Sequence, residues 1–136
     1  MRLKVILTIV AFTLVAGFAA CKGSRSGDLR EVKQQRAGDY VVALLAPGGK
    51  LEDGPNEFAL EFRRASDNQP VDVGPVQVSC SMPMPGQPNM IAPVTATPAG
   101  MPGRYTVLGT FEMKGAWDLT ATFANGQKAQ ISLKVQ

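Results

Sequence analysis

The densest run of chemically soft side chains lies at residues 80–90, which read CSMPMPGQPNM. Thioether and thiolate sulfur are soft donors, and they suit Cu(I). Met82 and Met84 stand two apart, so in extended chain they project to the same side. Pro83 and Pro85 stiffen that geometry. Met90 can return to them if the loop folds back. Met101, in a later Pro-Gly-rich turn, can converge from across the end of a domain. Met82, Met84 and Met90, with Cys80 or Met101 as a fourth donor, form a candidate Cu(I) site. The competing reading is packing. Cys80 and Met82 share parity with Val76 and Val78, and free cysteine is among the most buried residue types. On that reading Cys80 is core, and Met84 and Met90 fill the mouth of the fold or offer an adaptable partner surface. Met113, four residues before Trp117, is expected in the core with its sulfur against an aromatic ring.

Other chemistries find little support. The chain has 136 residues and no histidine. The commonest general base and the commonest metal ligand are therefore missing. There is no nucleophile elbow, phosphate loop or recognisable carboxylate pair, so no catalytic residue is assigned and an enzyme is not expected. Asp67, Asp72, Glu52 and Asp53 are scattered in turns without calcium-loop spacing. Arg63-Arg64 reads as a solvated strand end. Neither a nucleic acid nor a small-molecule substrate is implied.

The N-terminus carries a different signal. Arg2 and Lys4 precede an uncharged apolar run over residues 5–18, and Ala19 and Ala20 then precede Cys21. This is signal-peptide architecture, and the run is short for a transmembrane helix. It resembles a bacterial lipobox, with Phe18 where Leu is usual. Residues 1–20 are read as a lipoprotein signal peptide and Cys21 as the lipidation site, carrying acyl chains of the palmitate type. An ordinary cut after Ala19 and an uncleaved short anchor remain alternatives. Stable anchoring needs more than one chain. Residues 21–37 are read as a flexible tether, because so polar a stretch buries too little surface to offset ordering entropy. As random coil, residues 22–37 reach about 20–24 Å. The expected location is the cell envelope, membrane-anchored and facing the periplasm.

The formal net charge of +3 misleads about the rest. Residues 37–136 hold seven basic and nine acidic side chains, a net of −2. A mildly acidic body is a poor nucleic-acid surface. If Cys21 is lipidated, Cys80 has no partner within the chain, so no disulfide is expected.

The elements that must position the sulfur atoms are short strands. Tyr40 to Ala46 is apolar and ends at Pro47-Gly48-Gly49. Phe58, Leu60 and Phe62 alternate with polar neighbours, as do Val76, Val78, Cys80 and Met82. Met90 to Thr97 is a weaker strand interrupted by Pro93. Tyr105, Val107, Phe111 and Met113 alternate next, followed by Trp117, Leu119, Ala121 and Phe123. Asn125-Gly126 is a two-residue hairpin signal, and Ile131, Leu133 and Val135 complete the last strand. About seven strands in one hundred residues predict an all-β, immunoglobulin-like antiparallel β-sandwich over 38–136. Its core is expected around Trp117, Phe58, Phe62, Tyr105, Phe111 and Phe123.

Four motifs resemble the YtkA-like domain family, which is related to FixH-type periplasmic domains. They are Gly54-Pro55-Asn56 before the Phe58 strand, Met82-Pro83-Met84-Pro85-Gly86, Pro102-Gly103-Arg104-Tyr105, and Phe111-Glu112-Met113-Lys114-Gly115-Ala116-Trp117. The last is the most specific, and the likeness spans nearly all of 38–136. The resemblance implies an exported sandwich tied to heavy-metal efflux or respiratory-oxidase assembly. Gln87 and Asn89 stand where family members often carry further Met or His. The expected role is accessory soft-metal handling of the copper type. The alternative is a non-metal interaction module contacting a membrane complex.

Overall fold

In the computed structural model the described residues are 28–136. The signal over 1–20 and Cys21 lie outside them.

Among the described residues, nine strands form two antiparallel sheets. They are β1 (Leu29–Ala37), β2 (Tyr40–Pro47), β3 (Gly54–Arg64), β4 (Gln77–Met82), β5 (Met90–Ala92), β6 (Val94–Pro98), β7 (Arg104–Phe111), β8 (Gly115–Phe123) and β9 (Gln127–Val135). One sheet runs β1-β2-β3-β7-β6 and the other β5-β4-β8-β9. The inward residues of each strand alternate with outward ones, as a two-layer sandwich requires. Phe58, Leu60 and Phe62 from β3 meet Trp117, Leu119 and Phe123 from β8, all buried. Edge-to-face contacts run through the core, with Phe111 and Trp117 centroids 5.4 Å apart and Phe62 and Phe123 centroids 4.7 Å apart. All six aromatic residues anticipated for the core are in it.

Two differences from the expected seven strands have clear causes. Pro93 divides the expected single strand into β5 and β6. Proline cannot donate to a ladder, so the chain changes sheet there, while the Pro93 carbonyl still accepts from the Thr110 amide at 3.2 Å. The second difference corrects the tether. Residues 29–37 are not flexible linker but β1, paired with β2 from Leu29↔Pro47 to Ala37↔Tyr40 with a break only at Val32. An edge strand needs few apolar anchors, because the ladder satisfies its backbone and solvent takes its polar face. Val32 packs on the core at the register shift between Glu31 and Lys33, and Ala37 is buried. The domain thus begins before residue 38.

The hairpin at Asn125-Gly126 is also one residue longer than expected. Phe123 pairs with Gln127, and Ala124, Asn125 and Gly126 all take positive φ.

Strand directions give the sandwich two distinct ends. Leu29, the 47–54 connection, the 83–89 loop, the 112–114 loop and Val135 gather at one. The register Leu29↔Pro47, Gly54↔Phe111 and Gly115↔Val135, with the Leu51↔Val135 bridge, places them together. The 65–76 connection and the 99–103 loop lie at the other. The first is called the methionine end below, and the second the arginine end.

Candidate functional site

The β4–β5 hairpin builds the methionine end. Met82 pairs directly with Met90, and Cys80 with Ala92. Opposed residues in an antiparallel pair hold their Cβ atoms about 4.5–5.5 Å apart on one face. Met82 and Met90 therefore stand side by side facing the other sheet. Beyond them the chain turns through Met84-Pro85-Gly86-Gln87, where the Gln87 amide donates to the Met84 carbonyl at 3.0 Å. Proline then glycine at the two central positions, with Gly86 at φ 73°, is the type II arrangement. This turn reverses the chain just after Met84, which stands two residues beyond Met82. Met82 is buried, and Met84 and Met90 are half-buried against the core.

The structure separates the other two sequence candidates from this trio. Cys80 lies two pairs deeper along β4 and is 1% exposed. Burial, with help from the Asp118 charge, pushes its thiol up to about 12. It stays protonated at neutral pH and offers no thiolate. Met101 sits at the arginine end, 52% exposed, on the loop that leads into β7. It shares a cleft with Pro70, Pro102, Arg104 and Glu61. Val76 lines the neighbouring cavity beside Met101. From there to Met82 β4 runs six residues, roughly 20 Å. Met101 therefore does not converge on the trio.

Met113 corrects the expectation in the opposite direction. It is not core but 41% exposed. β7 stops at Phe111 and β8 starts at Gly115, so Met113 sits on the connecting loop at the methionine end. The Trp117 indole Nε1–H donates to the Met113 carbonyl at 3.0 Å, which fixes that loop to the core. Gly115 follows at φ +139°, and a Cβ there would meet Met82 Cε at 2.9 Å. The loop therefore passes directly over the Met82 side chain. The glycine at 115, close behind Met113, is the sequence sign that the strand had ended.

The arginine end is built differently. Glu61 is the buried charged residue among the described ones. Arg63 Nε donates to it at 2.6 Å, and Arg104 closes the other carboxylate oxygen. Arg63 also reaches Glu31 on β1 at 3.5 Å. Burial raises the Glu61 pKa, but the hydrogen bonds and charges of Arg104 and Arg63 outweigh it and hold the carboxyl below the usual range. Arg63 is thus a structural partner, not a solvated strand end; only Arg64 is exposed, paired with Asp67. The Tyr105 hydroxyl donates to the Gly74 carbonyl.

No curated protein matches the chain. A solved structure of the ZirS C-terminal domain matches at 13% identity, covering 100% of this chain and 87% of that one, with a TM-score of 0.42. The model of the YtkA-like family matches residues 34–122, which include the methionine hairpin, the Pro102–Tyr105 turn and the Met113 loop. This chain belongs to the YtkA-like family.

Proposed function

We propose that this protein is an exported accessory domain, tethered to a membrane through lipid on Cys21, that holds a soft cation of the Cu(I) type at its methionine end. The observation that carries the reading is the Met82↔Met90 register, with Met84 half-buried against the core at the start of the turn that follows. Three thioethers in one partly buried patch form a donor set that favours Cu(I) and disfavours harder ions. The role is binding and delivery within efflux or respiratory-oxidase assembly, not catalysis. The described chain starts at Asp28, beside Pro47 at this same end, where the Gly48 amide donates to the Asp28 carbonyl at 3.0 Å. Seven steps separate Cys21 from Asp28, a span of at most about 25 Å. A lipid on Cys21 therefore holds the methionine end close to the bilayer, where a membrane complex in the periplasm-facing leaflet can exchange the ion.

The test is Cu(I) titration under reducing conditions, comparing the full-length protein with its Met82→Leu/Met84→Leu/Met90→Leu variant. Loss of binding at an unchanged circular dichroism spectrum supports the site, and retained affinity ends it. The second reading is a non-metal interaction module contacting a membrane complex. It is favoured by Ile91 and Leu108, 68% and 52% exposed beside the uncharged edge strand β6. It predicts partner capture unchanged in the same triple variant.

A further inference from the structure

We infer that Met113 is the fourth thioether of the methionine-end site, and that the site takes up a soft monovalent cation independently of protons. The inference rests on the reading of Met82, Met84 and Met90 as a soft-metal site, and it adds a ligand from the loop that joins β7 to β8. Three observations carry it. The 112–114 loop crosses from one sheet to the other at the end where the β4–β5 hairpin closes, and Gly115 on its far side touches the tip of Met82. The backbone of Met113 is pinned by the Trp117 indole, so its position is set while its side chain stays free. That side chain is one of only a few large apolar groups left exposed among the described residues. A buried Met82 with half-buried Met84 and Met90 on one side, and an accessible thioether on the other, let an ion enter and be enclosed in sequence. Met113 makes first contact, and Met82 and Met90 form the floor.

The donor chemistry sets the pH behaviour. Thiolate, imidazole and carboxylate ligands must each lose a proton to bind, so their sites weaken in acid. A thioether has no proton to lose. The chain has no histidine, and Cys80 is enclosed in the core below Met82, only 1% exposed. The site therefore holds its cation equally at acid and neutral pH.

The experiment uses Ag(I), a redox-inert analogue of Cu(I), titrated into the full-length protein in detergent at pH 5 and pH 8. One equivalent is expected, with affinities at the two pH values within about threefold. Met113→Leu is expected to weaken binding at least about tenfold, since loss of even an outer partner commonly costs 10–100-fold. Its thermal midpoint should match the parent, because the side chain is solvent-exposed. If the parent binds and Met113→Leu binds equally well, Met113 is not a ligand, although the trio stands. Marked weakening at pH 5 in the parent overturns the all-thioether site by revealing a titrating donor. If the parent binds no Ag(I), the metal reading falls, and this inference falls with it.

Discussion

The two ends of the sandwich hold their side chains by opposite means. At the arginine end, polar groups are locked. Glu61 is closed by two guanidinium groups, Tyr105 by a carbonyl, and Gly103 by backbone on both sides. At the methionine end, flexible unbranched thioethers lie in a half-buried patch with few polar commitments. Of the motifs that mark the family, Pro102-Gly103-Arg104-Tyr105 serves the locked end and Met82-Pro83-Met84-Pro85-Gly86 the soft one. The four sequence motifs of this chain thus serve different ends, one bound into a polar network and one set among half-buried apolar side chains.

The largest expected effect is at the locked end. A Cβ on Gly103 would stand 2.6 Å from the Phe62 carbonyl oxygen and 2.7 Å from that of Val71, and Gly103 has φ +73°. Both obstacles are backbone, and the Gly103 carbonyl accepts from the Phe62 amide at 2.7 Å. Phe62 cannot retreat without breaking that contact, nor Val71 without breaking the 3.0 Å bond from its amide to the Phe62 carbonyl. Gly103→Ala is expected to destabilise the fold by about 4 kcal/mol or more, which is most of the stability of a small domain. Urea denaturation measures it. A loss below about 1 kcal/mol shows that the arginine end is as pliable as the methionine end.

Glu61 comes second. Removing one member of a buried ion pair leaves uncompensated charge, so Glu61→Ala should lose about 3 kcal/mol. The pH dependence follows from the direction of the shift. The folded carboxyl titrates below the unfolded value near 4.3, held there by Arg104 and Arg63 against burial. Its stabilisation is therefore complete above about pH 5 and is lost as pH falls through the unfolded value toward the lower folded one. Glu61→Gln should flatten the acid limb of the stability profile. An acid limb unchanged in that variant assigns the dependence to other carboxylates.

The sequence displayed these two ends unequally. Alternation marked β3, β4, β7 and β8, because each buries one face and the period of two is visible in single residues. Pro93 was legible as an interruption, and the sandwich gives it meaning as the point where the chain changes sheet. β1 was hidden because its residues are almost all polar, and its order comes from pairing with β2, which lies beyond any local composition. The Glu61–Arg104 contact was hidden for a similar reason. The partners are 43 residues apart, and only the β3–β7 register selects Arg104 among the cations. Among the sulfur atoms, the return of Met90 toward Met82 was legible only as a condition on the loop, and the β4–β5 register supplies the direct pairing. Met113 was misplaced by extending the parity of β7 two residues past its end at Phe111. Met101 was drawn to the trio by residue type alone, whereas strand length sets it at the far end.

That separation gives the smallest and sharpest expectation. Met101→Leu replaces an exposed thioether by a side chain of similar volume, and such surface changes usually stay within about 0.5 kcal/mol. Its neighbours are Pro102, Arg104 and Glu61, none of them a soft donor. Affinity for Cu(I) or Ag(I) should therefore match the parent, as should the urea midpoint. Met101→Leu and Met113→Leu change the same atoms in two exposed residues that flank opposite ends of β7. Hydrophobic loss and general surface effects are common to both, so any difference in metal affinity belongs to position. Weakened binding in Met101→Leu would place a soft donor at the arginine end and dissolve the distinction between a rigid end that builds the body and a soft end that binds.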